Sequence, residues 1–404
     1  MTTPRWLTIL GIGEDGIAGL TQSARALLSA AEVVYGGARH IALARDLIRG
    51  EARPWPSPMQ DAWPALLALR PRAVAVLASG DPYCHGVGAT LARLVPVAET
   101  LCLPAPSAFT LACARLGWPG AEVAMLSLCG HPLATLIPHL QPGARLLVLS
   151  ADPTTPHAVA DLLRARGFGD SRLHVLEALG GSRERVRGLA AREALPGDID
   201  PLNLLGIELH AAADARVVPL ASGLPDDCFE HDGQLTKQEV RAVTLAALAP
   251  RQGELLWDVG AGSGAISIEW LLRHPANRAV AIERIEARAA RAARNAAALG
   301  VPRLAVVAGN APDAFADLPP PDAVFIGGGA ERMDVLEAAW DALRPGGRMV
   351  VNAVTIETEA VLFGACRRLG GSLRRIAVER LDTLGTLHGF RPAMTVTQWV
   401  GAKR

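Results

Sequence analysis

Three alternating glycines after a short apolar segment are the clearest chemical signal in this chain. An apolar run leads into Asp258, and Gly260, Gly262 and Gly264 follow before a second apolar run at residues 265–272. Glycine has no Cβ, so such a loop turns tightly and lets its backbone approach a ligand closely. The pattern predicts a strand, a loop that holds a nucleotide-like ligand, and a helix packed against the sheet.

A carboxylate follows the glycines at a distance that suits ribose recognition. Residues 277–283 predict a second strand that ends in Glu283, about 20 residues beyond the glycines, where a ribose hydroxyl pair needs an acceptor. An Ala- and Arg-rich helix is predicted at residues 287–299. The alternative is an α/β domain whose glycines only form turns, and the order of the later segments argues against it.

The acid before the first glycine distinguishes this loop from a dinucleotide-binding loop, which keeps its third glycine at the helix start to accept a pyrophosphate. Residues 258–264 instead resemble motif I of the class I S-adenosylmethionine (SAM) methyltransferases. Further strands predicted at 304–311, 322–329 and 345–352 follow in that family's order. The resemblance implies SAM contacts from Gly260, Ala261, Gly262, Ser263, Gly264, Glu283, Asn310 and Ala311. Asn310 stands where many members of the family have Asp.

The first half of the chain has a different glycine pattern. Residues 7–16 predict a strand and a turn, and Thr21 is placed to cap the helix that follows. Residues 73–82 predict an apolar strand that ends in a Ser-Gly-Asp-Pro loop, and a Pro-rich loop enters another helix at Ser107. These segments resemble the class III, or tetrapyrrole, methyltransferases, and the resemblance covers residues 5–209.

The class III resemblance implies a second SAM site in the first half. In that family SAM lies in a cleft between two α/β lobes, and the N-terminal glycine turn lines the substrate side. By this resemblance Gly80 and Asp81 lie at the cleft, and Ser107, Ala108 and Gly130 lie close to the cofactor. For each of these residues a plain turn is the alternative interpretation.

A segment of mixed composition at residues 211–222 predicts a linker between two domains, 1–210 and 211–404. Thr236 is predicted to cap the first helix of the second domain, and Glu239 three residues later would complete a capping box. Residues 223–242 resemble the start of the decarboxylating half of precorrin-6Y C-methyltransferases, which implies a SAM contact from Thr236 as well. The predicted fold class is α/β: a two-lobed tetrapyrrole methylase fold, then a Rossmann-like class I fold with a seven-stranded, doubly wound sheet.

The whole chain therefore resembles the precorrin-6Y C5,15-methyltransferases of cobalamin biosynthesis. The resemblance implies methylation of precorrin-6B (precorrin-6Y) at carbons 5 and 15, loss of carbon dioxide from the ring C acetate, and precorrin-8X as product. The resemblance assigns methylation of carbon 5 to the first half of the chain. It assigns methylation of carbon 15 and the decarboxylation to the second half. Two SAM molecules would bind each chain. A methylase for the cobalt-containing intermediate of the anaerobic pathway is the alternative, and the fusion of both halves favours the cobalt-free route.

This chemistry needs few acid–base groups, since most of the acceleration can come from holding the nucleophilic carbon about 3 Å from the methyl group. The conjugated macrocycle can serve as electron sink for the decarboxylation. We assign no catalytic residue from the sequence. The candidates for orienting substrate carboxylates are Lys237, Arg241, Arg332 and Arg391, although an ordinary surface or structural role is the favoured interpretation for each.

Composition narrows the remaining classes of function. A chain of 404 residues is long enough for two or three domains, and half of its residues are apolar. Its 40 basic residues balance its 40 acidic residues, so the charge indicates no nucleic-acid partner. No run approaches the ~20 apolar residues of a membrane span, which predicts a cytoplasmic protein. The six cysteines show no metal-ligand spacing and are predicted to be buried thiols; no metal site is expected. Class I relatives of this type often associate through the domain that corresponds to residues 211–404. This resemblance predicts a homo-oligomer, with a tetramer as the favoured form.

Two functions of other classes compete with a methyltransferase. A dehydrogenase would need a pyrophosphate-binding glycine pattern, and it would leave the Ser-Gly-Asp-Pro loop at residues 79–82 without explanation. A SAM-binding sensor without enzymatic activity is disfavoured because both predicted cofactor loops are intact.

Overall fold

The structure, a computed structural model, describes residues 5–330 and 332–404. These residues form two compact units. The first contains the residues up to Leu133 and Gln141–Arg216, and the second contains Ala134–Leu140 and Val217–Arg404. Val217 lies inside the segment that composition marks as a linker.

Five parallel strands form the first sheet of the first unit, in the order β3-β2-β4-β1-β5. The strands are β1 (Leu7–Ile12), β2 (Val33–Gly36), β3 (Glu51–Pro54), β4 (Val74–Ser79) and β5 (Thr100–Leu103). The helices are α1 (Gln22–Ala30), α2 (Ala38–Ala44), α3 (Trp63–Leu67), α4 (Val87–Leu91) and α5 (Ala108–Leu116). The predicted Thr21 cap is confirmed, since its hydroxyl accepts from the Ala24 amide at 3.2 Å. The helix predicted to be entered at Ser107 begins there, and the Ser107 hydroxyl caps it by accepting from the Thr110 amide at 3.1 Å.

A second sheet of the same unit has the order β6-β7-β10-β8-β9 and mixes parallel and antiparallel pairs. Its elements are β6 (Val123–Ser127), β7 (Arg145–Leu149), α6 (Thr155–Ala165), β8 (Arg172–Glu177), β9 (Arg185–Ala190) and β10 (Asn203–Glu208). The parallel first sheet is apolar on both faces, because Leu7 and Ile9 of β1 pack into one apolar cluster and Leu10 and Ile12 into another. Two α/β lobes result, as predicted for this half.

The second unit contains a seven-stranded sheet in the order β13-β12-β11-β14-β15-β19-β16, in which β19 runs in the direction opposite to the other six strands. Its strands are β11 (Leu255–Val259), β12 (Arg278–Glu283), β13 (Ala305–Ala308), β14 (Ala323–Ile326), β15 (Arg348–Ala353), β16 (Ser372–Ile376) and β19 (Val396–Ala402). A separate hairpin consists of β17 (Glu379–Leu384) and β18 (Leu387–Pro392). The predicted seven-stranded sheet is confirmed.

Five helices accompany this sheet: α7 (Gln238–Leu248), α8 (Ala265–Arg273), α9 (Glu286–Ala298), α10 (Met333–Ala342) and α11 (Ile356–Leu369). One core joins Trp257 of β11, Val324 of β14, Met349 of β15 and Trp399 of β19. None of the described helices is both long enough and apolar enough to cross a membrane.

The capping box predicted from Thr236 and Glu239 is wrong. Helix α7 begins at Gln238, and its N-cap residue is Lys237, whose side chain makes no capping bond. The carbonyl oxygen of Thr236 accepts a hydrogen bond from the guanidinium of Arg241, and Glu239 forms an ion pair with Arg380. Thr236 therefore lies one residue before the N-cap position, and of the two groups that the box requires, the Glu239 carboxylate is bound by Arg380 of the distant hairpin.

The cysteines are free thiols, but the prediction that they are buried is wrong. Cys129 is exposed and the other five are partly exposed. Within residues 5–330 and 332–404, no group of three His, Cys, Asp or Glu side chains is arranged to hold a metal ion.

Candidate functional site

A cavity of about 680 Å³ lies at the carboxyl ends of β11, β12, β14 and β15 in the second unit. In a doubly wound sheet this edge is where ligands bind. The glycine loop after β11 and the loop at residues 327–329 after β14 form part of its wall. The predicted cofactor residues that line it are Thr236, Gly260, Ala261, Gly262, Ser263, Glu283, Asn310 and Ala311.

The three glycines of the loop adopt backbone conformations that other residues rarely reach. Their φ angles are +71° at Gly260, +58° at Gly262 and +77° at Gly264. A Cβ at Gly260 would lie 2.8 Å from the carbonyl oxygen of Gly328, and one at Gly264 would lie 2.9 Å from the Cβ of Ala292. Gly264 is absent from the cavity wall and instead lets α8 pack closely on α9. The loop is tight, as predicted, but only Gly260 and Gly262 of the three border the cavity.

Glu283 is the last residue of β12 and is 4% exposed. Its Oε2 accepts a hydrogen bond from the Gly262 amide at 2.9 Å, and its Oε1 accepts one from the Ile285 amide at 3.0 Å. Arg288 of helix α9, which follows Glu283 in the chain, binds Asp232 at 2.8 Å and not Glu283. The carboxylate is therefore fixed against the glycine loop, and each oxygen keeps a lone pair for a ligand hydroxyl.

Asp258, the acid before the glycines, is buried at the cavity wall. Its Oδ2 accepts from the amide and the hydroxyl of Ser267, at 3.0 and 2.7 Å. Its Oδ1 is also buried and has no hydrogen-bond partner among the described residues. Burial raises the pKa of the Asp258 carboxyl to about 6, and the charge of Glu283 raises it as well. An orphaned carboxylate oxygen here suits a cationic ligand such as a sulfonium.

The other end of the cavity has a different lining. Glu283 ends β12 and Asn352 lies near the end of β15, three strands further along the sheet, a separation of about 14 Å at the usual strand spacing. Beyond Asn352 the wall is mostly apolar, with Val354, Ile376, Val378, Met394 and Val396. Cations also reach the cavity wall, from Lys237, Arg284, Arg288, Arg332 and Arg380.

Two of the four cations proposed for substrate carboxylates line this cavity and two do not. Lys237 and Arg332 are among its lining residues. Arg241 is fully buried, with its Nε 2.5 Å from Glu269 and its Nη1 3.1 Å from Asp226, so it holds the start of α7 to the fold. Arg391 is paired with Asp382 on the hairpin at 2.8 Å. Arg241 and Arg391 are therefore structural residues, the other interpretation given for each of the four cations.

The cavity residues that the sequence did not identify come from distant segments. Arg380 belongs to the hairpin. Asn352 lies in β15, whose pairing with β19 places it opposite Gln398. No local motif marks either residue. A polar side chain at the carboxyl end of a predicted strand is the only signal that could have identified Asn352.

The first unit has its own cavity, of about 430 Å³, lined by residues of both lobes. Gly80, Ser107 and Ala108 line it, as the class III resemblance implies. A Cβ at Gly80 would lie 2.7 Å from the Pro106 carbonyl oxygen, so glycine lets these two loops meet. Asp81 and Gly130 are not among the lining residues. The Asp81 carboxylate accepts from the Tyr83 amide at 2.9 Å, which fits its alternative role in a turn.

A polar cluster that the sequence did not reveal lies in the wall of this first cavity. The guanidinium of Arg39 donates to Nε2 of His40 at 2.9 Å, and the Ser79 hydroxyl lies 2.8 Å from the same nitrogen. Arg39 also forms an ion pair with Glu14. Burial, together with the charge of Arg39, lowers the pKa of His40 to about 4. The imidazole is therefore neutral near pH 7 and accepts hydrogen bonds through Nε2.

Known proteins resemble this chain over its whole length. Residues 7–194 match the family of tetrapyrrole (corrin/porphyrin) methylases, and residues 227–403 match the precorrin methyltransferase domain. A protein from Sinorhizobium sp. named precorrin-6Y C(5,15)-methyltransferase (decarboxylating) is 54% identical over 398 residues, which cover 98% of this chain and 96% of the relative. A Mycobacterium tuberculosis protein of the same name is 45% identical over 405 residues, 98% of this chain and 100% of the relative.

One solved structure is similar to the second half of the chain. It is the C-terminal domain of precorrin-6Y C5,15-methyltransferase from Rhodobacter capsulatus, 44% identical, with a TM-score of 0.44. The match covers 46% of this chain and 100% of that domain.

Proposed function

The chain belongs to the family of precorrin-6Y C5,15-methyltransferases (decarboxylating), and from this premise we propose that it transfers two methyl groups from SAM to precorrin-6B (precorrin-6Y), at carbons 5 and 15. In the same cycle it removes carbon dioxide from the ring C acetate, and precorrin-8X leaves. The first unit methylates carbon 5. The second unit decarboxylates the substrate and methylates carbon 15. The proposed domains are residues 1–210 and 211–404.

The presence of one cavity in each unit, both lined by predicted cofactor loops, is the observation that carries this proposal. Each cavity is large enough for a small organic ligand. We therefore assign two SAM sites to each chain, one at Gly80, Ser107 and Ala108, the other at the glycine loop and Glu283. Asp81 and Gly130, which lie outside the first cavity wall, are retained only as neighbours of that site.

The residues of the second unit fit a SAM molecule, which supplies an electrophilic methyl group when bound. Glu283 is held by two backbone amides and accepts hydrogen bonds from a pair of ribose hydroxyls. Asp258 offers its unpartnered oxygen to positive charge. The apolar wall beyond Asn352 accommodates a conjugated macrocycle and excludes water, while Lys237 and Arg380 meet its peripheral carboxylates. The chain thus orients the two reactants, and that supplies much of the acceleration.

Assembly and location form a further part of the proposal. The hairpin carries four large apolar side chains that are more than half exposed: Leu381, Leu384, Leu387 and Phe390. Such a cluster on a small two-stranded element fits an interface better than a solvated surface. We propose that the chain forms a homo-oligomer, a tetramer, through this hairpin, and that it acts in the cytoplasm.

A second candidate substrate is the cobalt-containing intermediate of the anaerobic pathway. The fusion of both methylase units in one chain favours the metal-free substrate. Incubation with SAM and either the metal-free or the cobalt-loaded compound, followed by mass spectrometry, distinguishes the two. We expect the metal-free compound to gain two methyl groups and lose one carbon dioxide. A faster reaction with the cobalt form would identify the alternative, and an unchanged mass with both would refute the proposed function.

A further inference from the structure

Three buried or half-buried polar side chains form a network behind the cavity of the second unit. Asn352 of β15 lies directly opposite Gln398 of β19, and Thr244 of α7 packs against both. The Nδ2 of Asn352 donates to the Thr244 hydroxyl at 3.0 Å, and the Nε2 of Gln398 donates to the same hydroxyl at 3.1 Å. Gln398 Nε2 also donates to Oδ1 of Asn352 at 2.8 Å. Only Asn352 of the three lines the cavity.

The hydrogen bonds fix which way each amide is turned. The Thr244 hydroxyl donates its proton to the Val240 carbonyl oxygen at 2.7 Å, so it can only accept from the two amides. Rotating either side-chain amide by 180° would place its oxygen beside the Thr244 hydroxyl oxygen, which has no proton left to donate. Asn352 therefore commits Oδ1 and one N–H to the network. In the described part of the chain its second N–H has no other partner, and it belongs to a residue of the cavity wall.

The position of Asn352 separates it from the cofactor residues. Glu283 and the glycine loop lie at the ends of β11 and β12, whereas Asn352 lies at β15, next to the apolar wall of Val354 and Val396. A ligand group that reaches Asn352 therefore belongs to the substrate and not to the nucleoside. The fixed amide offers that group one directed, uncharged donor.

We propose that the second N–H of Asn352 donates to the substrate carboxylate that is lost as carbon dioxide, which makes Asn352 a positioning residue for the decarboxylation; this inference rests on the proposed function. A neutral donor suits a carboxylate that must leave as a neutral molecule. A guanidinium or ammonium would form a stronger, charge-assisted bond and so hold the starting carboxylate more firmly than the uncharged product.

The step balances without a further reactant. The bond between the acetate methylene carbon and its carboxylate carbon breaks, and its electron pair moves into the protonated, conjugated macrocycle while carbon dioxide departs. The methylene carbon then takes up a proton, so one proton from water is consumed for each carbon dioxide released. Asn352 transfers no proton. It holds the carboxylate so that the breaking bond stands perpendicular to the ring plane, where its electrons overlap with the conjugated system.

The test uses the full chain with SAM and precorrin-6Y labelled with ¹³C in the ring C acetate carboxylate. In Asn352→Ala we expect release of labelled carbon dioxide to slow by about 10- to 100-fold, the range for a misplaced reacting group. Methylation at carbon 5 by the first unit serves as an internal control within the same chain and should keep its wild-type rate. Calorimetry should find SAM affinity at the second unit within about twofold of wild type, a readout that loss of structure would change.

Two more variants keep the result decisive. Asn352→Asp keeps the side-chain shape and the acceptor for Gln398 but removes both N–H groups, the one bound to Thr244 included. We expect it to abolish carbon dioxide release while SAM affinity at the second unit stays within about twofold of wild type, which shows that the unit is folded. Gln398→Met leaves the Asn352 side chain in place but removes the hydrogen bond that fixes its orientation. We therefore expect an intermediate rate of carbon dioxide release. Release within twofold of wild type by a folded Asn352→Ala would overturn the inference. Absence of labelled carbon dioxide from the wild-type enzyme would instead overturn the proposed function.

Discussion

Replacement of Glu283 by alanine tests the cofactor site of the second unit. The carboxylate is 4% exposed and held by the amides of Gly262 and Ile285 at 2.9 and 3.0 Å, so its oxygens occupy fixed positions at the cavity wall. If it accepts the ribose hydroxyls of SAM, its removal costs about 1.5 to 3 kcal/mol of binding free energy, the range for hydrogen bonds to a charged group. That corresponds to a site roughly 10- to 150-fold weaker.

The same change also leaves two backbone amides without their acceptor, so part of the loss reflects a looser glycine loop. Glu286→Ala is the matched control, because Glu286 is an exposed carboxylate three residues along the chain. We expect the control to bind SAM like the wild type. A surface role for Glu283 would predict a loss below about 1 kcal/mol.

The assay combines calorimetry with product mass. Calorimetry of Glu283→Ala should show one unchanged SAM site and one weakened site. With substrate at limiting SAM, the variant should still add one methyl group through the first unit and add the second methyl group slowly. A doubly methylated, decarboxylated product formed at the wild-type rate, with both SAM sites unchanged, would refute this role for Glu283.

Three further predictions concern stoichiometry, assembly and pH. The wild-type chain should bind two SAM molecules with independent affinities in calorimetry, and a single site would contradict the assignment of one cofactor to each unit. The wild type should sediment as an oligomer and the double variant Leu387→Glu, Phe390→Glu as a 42.4 kDa species, whereas a monomeric wild type would refute the hairpin interface. Since burial raises the pKa of Asp258 from 3.8 to about 6, the folded protein binds more protons than the unfolded chain between these values. The Asp258 contribution to the free energy of unfolding should therefore fall as pH rises from about 4 to about 6, so the free energy of unfolding of the wild type should decrease relative to that of Asp258→Asn over this range; parallel pH dependences in denaturant titrations would contradict this reasoning.

Structural features that depend only on residues close together in the chain were predictable from the sequence. The glycine loop and Glu283 were identified because strand ends, positive-φ glycines and a carboxylate at fixed spacing are local patterns. Thr21 was correctly predicted as a helix cap, and Ser107 as the entrance of a helix, for the same reason. The α/β class and the seven-stranded sheet follow from the order of such segments.

Features that depend on contacts between distant segments were not predictable. Thr236 fails as a cap because α7 begins one residue later than predicted, with Lys237 as its N-cap residue, and because Glu239 pairs with Arg380 of the distant hairpin. His40 and Ser79 meet only because β2 and β4 are neighbours in the first sheet, which places the helix after one strand beside the end of the other. Asn352 acquires its fixed amide because the pairing of β15 with β19 brings it opposite Gln398, which is 46 positions away in the chain.

The positions of the methyl groups on the product of the full chain test the central claim most directly. With SAM labelled with ¹³C in its methyl group and metal-free precorrin-6Y, we expect two labelled methyl groups, one at carbon 5 and one at carbon 15. The ring C acetate should appear as an unlabelled methyl group. A product labelled at only one of these carbons, or one that retains the ring C acetate, would contradict the account of two methylation sites and a decarboxylating second unit in one chain.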